Sequence, residues 1–139
     1  MSEPDTETEF ESPFEPPSGW SQKFRHAFRG LIRGITSQSS FKVHLPIAAI
    51  VLATGCYFQA SLIEMCILLL CIALVVSLEL LNSGLEFLAR EVTQNFSERI
   101  KAALDISAAA VLVASCFSAL IGLLILLPRI YAQWFACAA

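Results

Sequence analysis

Ser77-Leu78-Glu79-Leu80-Leu81-Asn82-Ser83-Gly84-Leu85-Glu86 begins inside a long apolar run and carries two carboxylates and a carboxamide into it. A helix turns about 100° per residue, so Glu79, Asn82 and Glu86 fall within about 60° of one face. An ionised side chain in the hydrocarbon region costs roughly 2.5–3.5 kcal/mol on insertion scales, which makes such a face a candidate functional site.

The surrounding chain is apolar enough to supply that hydrocarbon setting. Of 139 residues, 56% are hydrophobic and only 15% charged, a balance far from that of a soluble domain. The length suits one domain. Three long apolar runs leave too little polar surface for a soluble helical hairpin. The net charge of −3 hides a segregation. Glu3, Asp5, Glu7, Glu9, Glu11 and Glu15 crowd the beginning, and Lys23, Arg25, Arg29, Arg33 and Lys42 follow. No basic patch with interleaved aromatics points to nucleic acid. The five cysteines (Cys56, Cys66, Cys71, Cys116 and Cys137) all lie in apolar segments, with no CxxC spacing or Cys/His cluster. They read as small buried hydrophobes, not as a disulfide framework or a zinc site.

The expected architecture is all-α, with three transmembrane helices behind an amphipathic surface helix. Residues 1–20, acidic and carrying Pro4, Pro13, Pro16 and Pro17, read as a disordered cytoplasmic tail. They lack the cationic start and apolar core of a signal peptide. Over residues 21–36, Phe24, Phe28, Leu31, Ile32 and Ile35 recur at helical spacing, opposite Arg25, Arg29 and Arg33. Such a helix lies in a membrane interface or packs on its own protein. The spans are expected at about 43–60, 62–88 and 103–127, with Gln59-Ala60-Ser61 as the first turn. The uncharged window of the second span is short for a crossing of about 20 residues, so the turn holding Glu79 belongs to the helix.

Lysine and arginine set the orientation. Eight of the nine (Lys23, Arg25, Arg29, Arg33, Lys42, Arg90, Arg99 and Lys101) flank one side, and Arg129 alone lies on the other. That predicts a cytoplasmic amino end, an external carboxyl end, and an outer interfacial position for Tyr131 and Trp134. Glu79 and Glu86 then occupy the cytoplasmic half of the second span. Asp105 enters the third at a similar depth; in a purely structural reading it is that helix's N-cap or first-turn acid. One pocket is expected to gather Glu79, Asn82, Glu86, Asp105 and the basic loop. Carboxylates and a carboxamide are hard oxygen donors suited to Mg²⁺. A deeper, less solvated carboxylate suits a general base for a hydroxyl. No Walker-type or kinase-type glycine loop is present. The same residues also serve a purely structural reading, with Glu79 and Asn82 bonding to neighbouring helices and Glu86 pairing with Arg90 four residues on.

Residues 79–86 resemble the prokaryotic diacylglycerol kinase family, which includes undecaprenol kinases. Its motif runs Glu, two aliphatics, Asn, a small hydroxyl residue, a small residue, an aliphatic and Glu. Asp105-Ile106-Ser107-Ala108-Ala109-Ala110-Val111-Leu112 resembles its Lys-Asp segment. Ala27-Phe28-Arg29-Gly30-Leu31 and Phe41-Lys42-Val43-His44 resemble its surface helix and first-span entry. The likeness covers residues 23–127. It implies a homotrimeric enzyme of the bacterial inner membrane that moves the γ-phosphate of ATP to a lipid hydroxyl with Mg²⁺. Diacylglycerol is the first expected acceptor and undecaprenol the alternative. By the same resemblance, Glu79 matches the catalytic base, Glu86 a metal and ATP carboxylate, Asn82 a phosphate neighbour and Asp105 a nucleotide contact. Three positions depart from the pattern. Gln38 stands where the family has a second metal-binding Glu, and Leu104 where it has Lys, with Lys101 one turn earlier as a substitute. Arg90 stands where Asp is usual. These changes make the metal site less anionic, and they leave open a non-catalytic trimeric membrane protein that retains the fold.

Overall fold

The computed structural model describes residues 19–92 and 97–138, with side chains through residue 134. The acidic tail expected at the amino end lies outside the described residues except for its last two positions. Everything regular among the described residues is helical: α1 Trp20–Ser37, α2 Phe41–Tyr57, α3 Leu62–Val92 and α4 Glu98–Ala138.

Helix α1 has the amphipathic make-up the sequence suggests. Trp20, Phe24, Phe28 and Ile32 stay exposed along it, an apolar stripe left uncovered among the described residues. The Trp20 and Phe24 rings lie 6.4 Å apart, and Lys23 Nζ sits 5.4 Å from the Trp20 ring. At Gln38 the backbone turns extended (φ −107°, ψ 132°), and α2 leaves at 102° to α1. Gly34 lets α1 lie against α3: a Cβ there would fall 2.5 Å from Leu80 Cδ2. The entry to α2 is anchored by Phe41, which is fully buried.

With 17 residues, α2 rises only about 25 Å, short of a hydrocarbon core of about 30 Å. Two helices, α3 and α4, are long and apolar enough to cross a membrane, and a third crossing arises where the bent α1–α2 pair counts as one. The end of α2 is a Schellman turn. Gln59 N donates to the Cys56 carbonyl and Ala60 N to the Gly55 carbonyl, with Gln59 at φ 54°. Gly55 is another close approach, where a Cβ would meet Met65 Sδ at 2.7 Å. Ser61 and Glu64 then start α3 as a reciprocal capping box: Glu64 Oε2 accepts from Ser61 N at 2.6 Å, and Glu64 N donates to Ser61 Oγ at 3.4 Å.

Helices α3 and α4 form the main antiparallel pair. Leu68, Val75, Glu79 and Ser83 on α3 are buried, as are Val111, Ala114 and Leu126 on α4. The register shows in three contacts. Arg129 meets Glu64 at one end, Ser118 Oγ donates to the Cys71 carbonyl at 3.5 Å, and Ser107 Oγ donates to Asn82 Oδ1 at 2.6 Å.

Both long helices outrun the expected spans. Helix α3 continues to Val92 because the polar residues after Leu88 are ordinary helix formers in water. Helix α4 starts at Glu98, not near residue 103, so Asp105 lies in the helix interior and is neither its N-cap nor its first-turn acid. It also runs through Pro128 to Ala138. A proline forfeits one backbone bond, and membrane helices tolerate that where neighbouring groups satisfy the freed carbonyl.

Candidate active site

Three parts of the chain converge around Glu86, the α1–α2 bend and α3 directly and α4 through Asn82. Glu86 sits nearly seven turns along α3 from Leu62, half-buried, on the face that the sequence assigns to Glu79 and Asn82. Gln38, delivered by the bend between α1 and α2, donates Nε2 to Glu86 Oε2 at 3.0 Å. Asn82, one turn back, donates Nδ2 to Glu86 Oε1 at 3.2 Å. Arg90, one turn on, brings Nη2 to 3.6 Å from Oε2. Both oxygens are therefore engaged, by two neutral donors and one cation. Arg90 is 71% exposed, so solvent screens that ion pair heavily.

Helix α4 reaches the same cluster through Ser107, whose Oγ lies 2.6 Å from Asn82 Oδ1 and 2.8 Å from the Leu104 carbonyl. The sequence singles out Asp105 on this helix and passes over Ser107. Two residues separate them, about 200° of helix, enough to turn one outward and the other inward.

Glu79 lies two turns deeper on α3 and is only 4% exposed. Its backbone carbonyl accepts from Ser83 Oγ at 2.8 Å, and Ser83 is itself buried. Among the described residues, no side chain hydrogen-bonds the Glu79 carboxyl group.

The single pocket expected to gather every polar residue is divided. Gln38, Asn82 and Glu86 come together. Lys101 and Asp105 pair with each other at 2.9 Å on an exposed part of α4, at 62% and 65% side-chain exposure. No hydrogen bond or ion pair among the described residues links that couple to Glu86. Asp105, about two turns inside α4, reaches solvent.

Sequence reasoning also passes over the opposite end of the molecule. Arg129 donates Nε to Glu64 Oε1 at 3.1 Å, pairs through Nη2 with Glu64 Oε2, and donates Nη1 to the Gln59 carbonyl at 2.7 Å. Its signal is the Ser-x-x-Glu cap of α3 facing the one cation of the outer end. The clasp ties α4 to the α2–α3 turn.

As a cation site, the Glu86 cluster offers one carboxylate and the carboxamide oxygen of Gln38, since Asn82 Oδ1 is taken by Ser107. Among the described residues no three His, Cys, Asp or Glu side chains converge, so the protein provides no full cage. Mg²⁺ commonly binds through one or two carboxylates and keeps positions for substrate phosphates. This donor set fits that pattern.

Comparison with known proteins identifies a family. The sequence model of the family described as prokaryotic diacylglycerol kinase matches residues 25–126. The chain is 38% identical to an undecaprenol kinase of Bacillus subtilis (strain 168) over 109 residues, covering 78% of this chain and 89% of that one. It is 33% identical to a diacylglycerol kinase of Synechocystis sp. over 106 residues, covering 76% of this chain and 61% of the relative. The matched region runs from the basic face of α1 to the end of the α3–α4 core, and so contains every residue of the Glu86 cluster. The chain belongs to the prokaryotic diacylglycerol kinase family and is a membrane lipid kinase.

Proposed function

We propose that the protein transfers the γ-phosphoryl group of ATP directly to the hydroxyl of a membrane lipid, diacylglycerol in the first reading, with Mg²⁺ at the Glu86 cluster. The observation that carries this is the buried side chain of Glu79, on the same helix face as the polar set around Glu86 and two turns deeper. At about 1.5 Å per residue, Glu79 lies about 26 Å from Leu62 along α3 and Glu86 about 36 Å. With Leu62 at the outer boundary, an apolar core of about 30 Å ends between them. A lipid alcohol thus meets Glu79 from the hydrocarbon side, and a nucleotide meets Glu86 from the water side.

In this reading Glu79 accepts the proton of the lipid hydroxyl as its oxygen attacks the γ-phosphorus, and the bond to the β–γ bridging oxygen breaks in line. Glu86 and Gln38 hold the ion and Asn82 lies beside the phosphates. Mg²⁺ bound there would neutralise charge on the phosphoryl oxygens. Lys101 and Asp105, exposed on α4, contact the nucleotide, with the flexible lysine reaching phosphate in place of Leu104. The chain works as a homotrimer in the bacterial inner membrane, its amino end cytoplasmic by the distribution of lysine and arginine.

The likeness to the undecaprenol kinase, over most of both chains, favours a second reading of the acceptor. Purified protein in lipid micelles, given γ-labelled ATP, Mg²⁺ and each lipid alcohol in turn, separates the two. Labelled phosphatidic acid supports the first and labelled undecaprenyl phosphate the second. Absence of label in both products sinks the kinase reaction proposed here.

A further inference from the structure

Ser107 occupies a position to which the family resemblance gives no role. Its hydroxyl carries one proton and faces two acceptors, Asn82 Oδ1 at 2.6 Å and the Leu104 carbonyl at 2.8 Å. The Asn82 carboxamide is itself two-ended. An ionised carboxylate only accepts hydrogen bonds, so the contact of 3.2 Å to Glu86 Oε1 requires the Asn82 amide nitrogen there. That leaves Oδ1 facing α4, where Ser107 meets it with a donor. In the reversed orientation the Asn82 oxygen would confront the Glu86 oxygen, and its NH₂ would compete with the Ser107 proton.

We propose that Ser107 is a positioning residue: its hydroxyl holds Asn82 with the NH₂ group turned to Glu86, so that Asn82 serves as a hydrogen-bond donor to a phosphoryl oxygen and not as an oxygen ligand to the cation. The inference rests on the phosphoryl-transfer reading above. One Nδ2 hydrogen is used by Glu86, and the second is available to a ligand beside it. The Leu104 carbonyl lets Ser107 release Asn82 without stranding its own proton, since the hydroxyl only rotates from one acceptor to the other. The chain of contacts from Ser107 through Asn82 to Glu86, met from the far side by Gln38, joins α4, α3 and the α1–α2 bend. Each element thereby fixes the rotamer of the next.

The test uses the full chain in lipid micelles, with Ser107→Ala, Ser107→Thr, Asn82→Ala and the Ser107→Ala/Asn82→Ala double variant. Losing one neutral hydrogen bond in the transition state predicts about a tenfold lower kcat/KM for ATP in Ser107→Ala. Ser107→Thr, which keeps the hydroxyl, restores turnover. The double variant is no slower than Asn82→Ala, because Ser107 acts only through Asn82. The Mg²⁺ concentration for half-maximal activity shifts in Ser107→Ala, where the Asn82 oxygen is freed to turn toward the cation. Unchanged kcat/KM in Ser107→Ala, or fully additive losses in the double variant, overturns the proposal.

A readout independent of turnover is the pair of Asn82 side-chain amide resonances in ¹⁵N-labelled protein without nucleotide, identified by their absence in Asn82→Ala. The pair moves and broadens in Ser107→Ala but not in Ser107→Thr. A pair unmoved in Ser107→Ala overturns the positioning role. An inactive wild-type enzyme defeats only the proposed reaction, and the amide resonances still decide the role of Ser107.

Discussion

Glu79 and Glu86 share a helix face but have opposite surroundings. Glu86 has each oxygen within reach of donors, from Gln38, Asn82 and Arg90. Glu79 is buried, and its helix neighbour Ser83 bonds its backbone carbonyl and not its carboxyl. A saturated carboxylate serves to hold something in place, and a buried one with unclaimed oxygens serves to exchange a proton. Glu79→Gln should therefore cut turnover by roughly 10²–10⁴-fold, the usual worth of a general base, while the KM for ATP stays near wild type. Initial rates over a range of ATP concentrations check this, and full turnover in the variant would remove Glu79 from the mechanism. Gln38 invites the reverse experiment. Its amide now donates to Glu86 at 3.0 Å, whereas a carboxylate at that distance would repel it until a cation intervened. Gln38→Glu should lower the thermal midpoint in the absence of divalent ion and raise it above wild type at millimolar Mg²⁺. Thermal unfolding in micelles, with and without Mg²⁺, shows the sign change. A midpoint that ignores Mg²⁺ would exclude position 38 from the cation site.

Among the elements, α1 works through where it ends. Gly34 brings the helix against Leu80, and one turn later Gln38 arrives at Glu86. Gly30, one turn earlier, has nothing within 4 Å of the place its Cβ would occupy. Gly34→Leu should push α1 off α3, withdraw Gln38 and raise the Mg²⁺ needed for half-maximal activity. Gly30→Leu, the same change in bulk on the open side, should leave it alone. Equal effects from the two variants would show that glycine content, and not the close approach, is what α1 requires. The periodicity of α1 and the shared face of Glu79, Asn82 and Glu86 are legible in the sequence because both follow from 3.6 residues per turn. The contacts across elements are not. Gln38 and Glu86 are 48 residues apart, and Ser107 and Asn82 25 apart, so their meeting depends on a 102° bend and on the register of α3 against α4. The helices outrun the expected spans for a related reason. Apolar runs report where the lipid ends, whereas α3 and α4 continue as helices into water.

At the scale of the whole molecule, the two ends of the α3–α4 pair are chemically distinct. One end is closed by the Arg129–Glu64–Gln59 clasp, with each nitrogen of the guanidinium bonded to the protein itself. The other end carries the Glu86 cluster and the exposed Lys101–Asp105 couple. Among the described residues, exposed charged side chains therefore gather at the Glu86 end, and in the proposed reaction that end faces the side of the membrane that holds ATP. The cations are distributed to enforce this. Eight of nine flank the Glu86 end, and Arg129 at the other is already neutralised by Glu64. Cationic flanks resist translocation, so insertion in the opposite sense would have to move the whole basic face of α1 across the bilayer. The topology can be read with reporters joined to the full chain. Alkaline phosphatase after residue 139 should be active, and a fluorescent protein there dark. The same fluorescent protein placed before residue 1 should be bright. An active phosphatase at the amino end, or a bright carboxyl end, would put the Glu86 cluster outside. That result would separate the site from its nucleotide and overturn the orientation on which the proposed reaction depends.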